Sequence, residues 1–301
     1  MIQIISHKKW YFILSLVVII PGLISLLLFG LKTSIDFSGG SRITLLDNQN
    51  VSATDQLHVR KVFASNKVDI ATVQTSARTM IIRTKPLDQK VHTKIINDIA
   101  VATKNNIKEE SYETVGPTIG AETTVNAIEG VSLAALLIVL YIAWSFRGVP
   151  KPTSSWRFGI CAIIALLHDV LVLIGIFSLL GHFFGVEIDS LFVTALLTVI
   201  GFSVHDTIVV FDRIRENLKN NFVYPFPDVV NNSMLQTMGR SVNTSLTVVL
   251  VLLALLFFGG ESIRWFVVAL LIGVISGTYS SIFNASPLLV VWNEWSMKRK
   301  K

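Results

Sequence analysis

Residues 191–217 read LFVTALLTVIGFSVHDTIVVFDRIREN, and this stretch decides the fold. Its first part, Leu191–Phe211, is apolar over about 20 residues, the length that a helix needs to cross the hydrocarbon core of a bilayer. His205 and Asp206 interrupt the apolar run near its end, and charged residues follow directly. The pattern predicts a membrane-spanning helix that holds ionisable groups inside the membrane and continues beyond it.

The rest of the chain repeats this alternation of apolar runs and charged stretches. Hydrophobic residues make up 51% of the 301 residues and charged residues only 15%, whereas soluble domains carry about 25% charged residues. The mean hydropathy is +0.61. Six spans are predicted: Trp10–Leu31, Thr124–Phe146, Phe158–Leu180, Leu191–Phe211, Ser241–Phe258 and Trp265–Val290. The first is interpreted as a retained helix, because it is long enough to span and no small-residue cleavage site follows it.

The positions of Lys and Arg predict the orientation of these spans, since short cytoplasmic loops are enriched in both. Basic residues precede the first span, follow the second and fourth, and end the chain: Lys8, Lys9, Arg147, Lys151, Arg157, Arg213, Arg215, Lys219, Arg240, Lys298, Arg299, Lys300 and Lys301. Of the two short loops on the other face, Gly181–Ser190 carries no Lys or Arg and the turn after the fifth span carries only Arg264. Both termini are therefore predicted to be cytoplasmic. This asymmetry also explains the net charge of +6 without a nucleic-acid partner.

Residues 32–122 lie between the first two predicted spans and are long enough for one small domain. Strands are predicted at Ser41–Leu46, Ile70–Gln74, Thr79–Thr84 and Glu110–Val115, and helices at Ala53–Ala64 and Leu87–Lys104. The apolar residues of the first helix are expected to cluster: Leu57, Val59, Val62 and Phe63. Those of the second, Val91, Ile95, Ile96 and Ile99, recur on one helical face. The order βαββαβ is that of a ferredoxin-like α+β fold.

The predicted organisation therefore has four parts. Residues 1–31 form a cytoplasmic N-terminus and the first span, and residues 32–122 form a periplasmic ferredoxin-like domain. Residues 123–292 hold spans two to six, and residues 293–301 form a basic cytoplasmic tail. The predicted fold class is a polytopic α-helical membrane protein with one extramembranous α+β domain.

Two His-Asp pairs inside the predicted spans are the first candidates for function, because an ionisable group in hydrocarbon is costly and usually functional. His168 and Asp169 lie in the middle of the third span, and His205 and Asp206 lie near the cytoplasmic end of the fourth. Arg240 enters the fifth span from the same side, and its long side chain can reach the interface or Asp206. Asp206 and Arg240 are interpreted either as a static ion pair or as a proton switch. His168 and Asp169 are likewise either a structural pair or a second relay.

No constellation typical of a soluble enzyme accompanies these residues. The sequence contains no Walker loop, no dinucleotide-binding glycine motif and no Cys/His metal cluster. Its single cysteine, Cys161, lies within an apolar run and cannot form an internal disulfide. We therefore expect neither enzymatic activity nor a cofactor.

Two further patterns predict local structure rather than chemistry. The pairs Asp212–Arg215 and Arg213–Glu216 are spaced for i, i+3 attraction, so a solvated helical extension of the fourth span is expected. Gly273 and Gly277 form a G-x-x-x-G pattern in the sixth span, which favours close helix packing.

Several short motifs together resemble the SecF family of bacterial protein-export subunits. Gly201–Asn217 is similar to the family's fourth-helix signature, and Asp36-Phe37-Ser38-Gly39-Gly40 to its D-F-x-G-G motif after the first helix. Val115-Gly116-Pro117-Thr118-Ile119-Gly120 resembles its V-G-P-x-x-G motif before the second helix. Arg240-Ser241-Val242-Asn243-Thr244-Ser245 resembles its fifth-helix start, and His168-Asp169 also matches. The order and spacing cover nearly the whole chain. One variation is His205, where some members carry Asn, and this leaves Asp206 as the better-supported titrating group.

This resemblance implies a half-transporter of the RND superfamily in the bacterial cytoplasmic (inner) membrane. It implies pairing with SecD and action with the SecYEG channel, drawing exported preproteins outward after SecA has pushed them. YajC and YidC are further candidate partners, besides the lipid bilayer. The implied energy source is the proton-motive force, with Asp206 and Arg240 as the proton-conducting residues. H⁺ is the expected coupling ion, and Na⁺ is the alternative. Asp212 and Arg213 belong to the fourth-helix motif.

Three rival functions stay open at this stage. A stand-alone RND-type exporter usually fuses two six-helix halves, whereas this sequence has one. A non-conducting scaffold of the translocase predicts that Asp206 and Arg240 can be replaced without loss of export. An intramembrane protease would use His and Asp residues within spans, but no familiar protease motif accompanies them here.

Overall fold

The computed structural model describes residues 3–104, 106–150, 153–220 and 224–299. Lys151, Lys300 and Lys301, which contributed to the predicted orientation, lie outside the described residues. The chain divides into two compact units. One comprises Met1–Lys32 and Glu129–Lys301, and the other comprises Thr33–Ile128.

Helices and strands follow along the chain as α1 (Lys8–Phe29), α2 (Ile35–Ser38), β1 (Gly40–Asp47), α3 (Ala53–Ser65), β2 (Ile70–Ser76), β3 (Thr79–Thr84), α4 (Gln89–Ala102), β4 (Ile107–Val115), α5 (Pro117–Ser145), α6 (Ser155–Phe184), α7 (Ser190–Asn220), α8 (Phe226–Phe258), α9 (Arg264–Ser280) and α10 (Ser286–Lys298). Short 3₁₀ turns, Ile5–His7 and Glu261–Ile263, precede α1 and α9. A π-helical turn, Ser281–Ala285, joins α9 to α10.

Six helical segments within the described residues are long and apolar enough to cross a membrane, which confirms the predicted number of spans. They are Ile5–Phe29, Pro117–Ser145, Ser155–Phe184, Ser190–Asn220, Phe226–Phe258 and Arg264–Lys298. In the third, fourth and sixth spans, half or more of the most apolar stretch is buried, against at most 17% in the other three. The third, fourth and sixth spans therefore form the centre of the bundle.

Several helices extend beyond the predicted spans. α5 begins at Pro117, α7 continues to Asn220, and α8 begins at Phe226. A span predicted from hydropathy ends at the first polar residues, whereas the backbone hydrogen bonds of a helix continue through them. In α5, Pro at the first helical position also favours a helix start there. In the extension of α7, the predicted pairs Asp212–Arg215 and Arg213–Glu216 are present at 2.6 and 2.7 Å.

Glycines set the spacing of the central helices. A Cβ atom on Gly22 of α1 would lie 2.8 Å from the Cα of Gly175 on α6, so these backbones touch. A Cβ on Gly273 of α9 would lie 2.0 Å from Val199 Cγ2 on α7. The close packing predicted from the G-x-x-x-G pattern is thus confirmed between α9 and α7.

The smaller unit contains a four-stranded antiparallel sheet in the order β2-β3-β1-β4. Strands and helices lie where they were predicted, and β4 starts three residues earlier, at Ile107. The core is formed by residues from three strands and both helices: Ile43, Leu45, Val59, Val62, Phe63, Met80, Ile82, Ile95, Ile99 and Ile107.

One predicted member of this core is wrong. The Leu57 side chain is 53% exposed, whereas Val59, Val62 and Phe63 are buried. Leu57 precedes Val59 by two residues, about 200° around an α-helix of 3.6 residues per turn. Leu57 was grouped with Val59, Val62 and Phe63 because it is close to them in sequence, but it lies on a different face of the helix.

Candidate functional site

Asp206 lies on the inner face of α7, and it is only 3% exposed. Its nearest hydrogen-bonding group is the Thr278 hydroxyl of α9, whose Oγ1 is 3.5 Å from Asp206 Oδ2. The same hydroxyl is 2.5 Å from Ser245 Oγ of α8. The carboxyl group thus has one hydroxyl beside it, and that hydroxyl connects α7, α8 and α9.

Arg240 lies on α8, the helix that also contributes Ser245, and its side chain is exposed. Both residues are described, and no ion pair within 4.0 Å joins its guanidinium group to Asp206. His205 is exposed although its neighbour Asp206 is buried, because successive helical residues point about 100° apart. The structure therefore places His205 and Asp206 on α7 and Arg240 on the neighbouring helix α8, and no ion pair joins Asp206 to Arg240.

Asp169 lies at the centre of the bundle and is fully buried. Its carboxylate accepts hydrogen bonds from Ser203 of α7 at 2.5 Å and from Ser276 and Ser280 of α9 at 2.7 and 2.6 Å. The ring Nδ1 of His168 lies 2.9 Å from Asp169 Oδ1. A single carboxyl group therefore connects α6, α7 and the sixth span.

His168 extends this network to the first span. Its Nε2 lies 3.0 Å from the hydroxyl of Ser15 on α1. That hydroxyl lies 2.8 Å from Asn284 Nδ2 and 3.1 Å from Asn284 Oδ1. The described structure thus contains a continuous polar chain from α1 through α6 to α7 and the sixth span.

The π-helical turn Ser281–Ala285 aims polar side chains at this network. Asn284 points to α1, as above, while Ser281 Oγ lies 2.8 Å from Thr207 Oγ1 and donates to the carbonyl of Ser203 at 3.2 Å. A π turn inserts one residue into a helix, and such insertions are frequent at functional sites. The π turn allows Ser281 to contact α7 and Asn284, three residues later, to contact α1.

The hydroxyl and amide groups of this network were absent from the sequence prediction: Ser15, Ser203, Thr207, Ser245, Ser276, Thr278, Ser280, Ser281 and Asn284. A serine within a span usually bonds its own helix backbone, as Ser245 does with the carbonyl of Ser241. The spacing of the serines could have identified part of this network. Ser276 and Ser280 are four residues apart and therefore lie on one face of the helix, which also carries Gly273 and Gly277.

The charged extension of α7 ties neighbouring helices together. Arg213 donates through Nε to Gln236 Oε1 of α8 at 2.6 Å. Arg215 donates to the carbonyl of Ser145, the last residue of α5, at 3.2 Å, and it pairs with Asp212. Asp212 and Arg213 therefore lie in a set of contacts that holds the ends of three spans together.

Two glycine motifs that are far apart in sequence meet in the smaller unit. A Cβ atom on Gly120 would lie 2.8 Å from the amide nitrogen of Gly39 and 2.9 Å from the carbonyl oxygen of Phe37. Gly39 and Gly40 have φ values of +70° and +131°, which side chains rarely allow. The turn at Gly39-Gly40 therefore packs against the start of α5. Asp36 lies in α2, the short helix before this turn.

Gly116 and Pro117, which precede Gly120 in the second motif, differ in how closely they are packed. A Cβ atom on Gly116 would meet nothing within 4 Å. The Cα of Pro117 lies 3.0 Å from where a Cβ on Gly39 would be. Within the described residues, the structure contains no group of three or more His, Cys, Asp or Glu side chains that could hold a metal ion.

Comparison with known proteins gives consistent results. Residues 95–295 match the family described as "Protein export membrane protein SecD/SecF, C-terminal". The protein translocase subunit SecF of Thermobaculum terrenum is 50% identical, over 97% of this chain and 94% of the relative. The SecF subunit of Anaerolinea thermophila is 44% identical, over 98% and 96%.

A solved structure is similar over nearly the whole chain. It is the crystal structure of SecDF, a translocon-associated membrane protein from Thermus thermophilus, with a TM-score of 0.85 and 33% identity. The match covers 97% of this chain but 39% of the SecDF chain. The present chain thus corresponds to about two fifths of that protein.

Proposed function

The chain belongs to the SecF family of protein translocase subunits, and from this premise we propose that it is an accessory subunit of a bacterial Sec translocase that couples an ion gradient to protein export. It acts as a coupling subunit rather than as an enzyme. Two relatives of nearly equal length, each named protein translocase subunit SecF, support the assignment.

The proposed partner is SecD. The similar structure is that of SecDF, a longer chain of which this one covers 39%, and this likeness supports SecD as the partner. SecYEG is the proposed channel, and SecA, YajC and YidC are proposed as further contacts. The translocating preprotein is the proposed substrate.

We place the assembly in the cytoplasmic membrane with both termini inside. Residues 32–122 then face the periplasm. Their strand order β2-β3-β1-β4, with α3 after β1 and α4 after β3, supports a ferredoxin-like fold. In this orientation the domain is available to contact a chain as it emerges from the channel.

The proposed coupling group is Asp206. The observation that supports this role is that its carboxyl group is buried within the predicted fourth span. An ionised carboxylate shielded from water is costly unless a cation pairs with it or a proton neutralises it. Among the described residues, Asp206 has the Thr278 hydroxyl beside it and no paired cation. The arrangement is therefore suited to a protonated carboxyl group.

Arg240 supplies the second state of the proposed switch. Its guanidinium stays charged at any accessible pH, so Asp206 is the member that changes. Loss of the proton would draw the Arg240 side chain towards Asp206, and proton entry from outside would release it. Each proton that crosses the membrane supplies about 2.3 kcal/mol per 100 mV of membrane potential. That energy would drive relative movement of α7 and α8.

Complementation tests the assignment as a translocase subunit. A strain depleted of its own SecD and SecF would receive this chain together with the SecD of the same source. We expect processing of exported precursors to recover several-fold above the depleted strain, and the two chains to purify together. A stand-alone exporter would instead act without SecD and leave precursor processing unchanged, which would contradict the proposal.

A further inference from the structure

We propose that His168 is a second proton-binding site of the span bundle, with Asp169 as its permanent counter-charge, and that its protonation sets the hydrogen bonding between α1 and the sixth span. The site is separate from Asp206. It rests on the proposed function only in its last step, namely that the bound proton is used for export.

The hydrogen bonds of Asp169 identify which member of the pair carries the proton. An ionised carboxylate has about four lone-pair positions, and four donors surround this one: three serine hydroxyls and His168 Nδ1. A neutral carboxylic acid would need an acceptor in place of one donor. Ser280 could turn towards the carbonyl of Gly277, but that contact is 3.2 Å, against 2.6 Å to the carboxylate. When Nδ1 carries a proton, donors fill all four positions, and this is the arrangement that an ionised Asp169 needs.

Charge balance then assigns the proton to His168. A fully buried carboxylate is stabilised by hydrogen bonds and by a nearby positive charge. The surrounding donors supply the hydrogen bonds in both states of the ring, and a protonated His168 adds the positive charge. Within the described residues, His168 is the one basic side chain that contacts Asp169. In the proposed arrangement, Nδ1–H donates to Asp169 in both charge states of the ring, so the proton that is gained and lost lies on Nε2. The His168 side chain is 10% exposed and that of Asp169 is 0% exposed, which leaves the ring as the accessible member.

Ser15 and Asn284 satisfy both protonation states of Nε2. In the neutral state, the Ser15 hydroxyl donates to Nε2 and accepts from Asn284 Nδ2. In the charged state, Nε2–H donates to Ser15 Oγ, and the Ser15 hydroxyl turns to Asn284 Oδ1. The distances of 3.0, 2.8 and 3.1 Å permit each bond. Only a hydroxyl rotation separates the two states, as a reversible proton site requires.

The other titratable groups around this site are few. On the sixth span, the Tyr279 ring centroid is 6.4 Å from that of His168, and the Tyr279 hydroxyl donates to the carbonyl of Tyr11 on α1. On α7, Asp206 lies one turn beyond Ser203. Among the described residues, no Lys or Arg pairs with either member of the His168–Asp169 pair.

The sixth span connects this site to Asp206. It carries Ser276 and Ser280, which bond Asp169, and also Thr278, which lies beside Asp206. Asn284 on the π turn completes the connection to Ser15 on α1. A proton on His168 would therefore alter how the sixth span is held, and Asp206 would sense that change through Thr278.

The direct test is nitrogen NMR of the full chain, labelled at histidine and reconstituted in lipid with its SecD partner. From about pH 8 to about pH 5, where histidine changes charge, we expect His168 Nε2 to shift from the neutral to the imidazolium range while Nδ1 stays protonated. His168→Gln identifies the signal by its loss. Should His168→Gln fail to fold, Ser15→Ala identifies the His168 signal instead. This substitution removes the hydroxyl beside Nε2 and so changes the chemical shift of that signal, and Ser15 contacts no other described histidine.

The counter-charge role is tested by Asp169→Asn, which should keep the His168 ring neutral across the same interval. His182→Gln is the matched control, because His182 is exposed on the same helix and stacks on Phe29, and it should leave the His168 transition unchanged. A ring that stays neutral, or stays charged, throughout would overturn the proposal. So would a transition that survives Asp169→Asn. Export that persists in Asp206→Asn would refute the proposed function and leave this titration unaffected.

Discussion

At the scale of single residues, two glycines set the distance between the first and third spans. Gly22 and Gly175 face each other so closely that a Cβ on either would lie 2.8 Å from the Cα of the other. Ser25 and Ser178 use this proximity, since their hydroxyl oxygens are 2.9 Å apart. The same proximity brings α1 close enough for Ser15 to contact His168. The glycine contact therefore supports the polar network.

Gly175→Ala should destabilise the protein. The added methyl group meets backbone atoms, which cannot move aside as a side chain can, so α1 and α6 must separate. We expect the free energy of unfolding to fall by about 1–3 kcal/mol, the usual cost of overpacking. Denaturant unfolding in detergent, followed by circular dichroism, measures it.

Gly159→Ala is the matched control, because Gly159 lies on the same helix and a Cβ there would meet only Ile142 Cγ2, at 4.0 Å. It should leave stability equal or slightly higher, since Ala is a better helix former than Gly by about 1 kcal/mol. Equal losses in the two variants would show that the close contact of α1 and α6 does not limit stability.

The charged members of the site could be predicted from the sequence, and their partners could not. His168, Asp169 and Asp206 are conspicuous because ionisable groups are rare in apolar runs. Serines are common in such runs and ordinarily bond their own backbone. Which of them turn towards Asp169 depends on how α6, α7 and α9 are rotated, and that is decided by packing between distant parts of the chain.

At the scale of elements, the glycine junction of the smaller unit fixes where α5 begins. Gly39 and Gly40 take φ values of +70° and +131°, and Gly120 packs against the backbone of Phe37 and Gly39. The Thr124 hydroxyl adds a 3.4 Å contact to the carbonyl of Phe37. This contact gives a physical reason for the two glycine motifs to occur together.

Gly120→Ala should loosen this junction, because its methyl group would lie 2.8 Å from Gly39 N and 2.9 Å from Phe37 O. We expect protease cleavage within residues 33–128 to accelerate at least several-fold, measured by limited proteolysis in detergent. Gly130→Ala on the same helix serves as control, since a Cβ there meets nothing within 4 Å. Unchanged cleavage in Gly120→Ala would show that the junction tolerates a side chain.

The six spans and the main strands and helices of residues 32–122 were predictable, but their ends, the short helix α2 and the division of the sixth span into α9 and α10 were not. Apolar periodicity located six spans and the strands and helices of residues 32–122. The start of α8 at Phe226 lies 15 residues before the predicted Ser241, because that segment is an amphipathic helix with polar residues such as Asn231 and Gln236. The π turn at Ser281–Ala285 has no signal in hydropathy, since Ser, Ile, Phe, Asn and Ala all fit a regular helix.

At the scale of the whole molecule, contacts within the larger unit join the segment before the first span to α8 and α10. Lys8 pairs with Glu294 of α10 at 2.6 Å, and the backbone amide of Ile4 donates to Asn231 Oδ1 of α8 at 2.8 Å. Arg157 donates to Ser296 Oγ at 2.8 Å. These contacts place the start of the chain, the start of α8 and the end of α10 at one end of the bundle, consistent with termini on the same side of the membrane.

Reporter fusions test this topology. A reporter fused after Val51 should be active only as an exported protein, and one fused after Lys219 only as a cytoplasmic protein. The reason is the excess of Lys and Arg in the predicted cytoplasmic loops. A fusion after Asn48, in the same predicted region as Val51, should behave like it. Finding the Val51 and Lys219 fusions on one side would rule out the six-span arrangement.

The coupling role of Asp206 is tested most directly by export into inverted membrane vesicles that hold this chain, SecD and the channel, with and without a proton gradient. Wild-type vesicles should export several-fold more precursor when the gradient is present. Asp206→Asn fixes the neutral side chain, so it should keep gradient-independent export and lose the stimulation at equal protein level. Glu216→Gln, an exposed carboxylate on the same helix, should retain it. Full stimulation in Asp206→Asn would contradict the proton switch and leave Asp206 a purely structural residue.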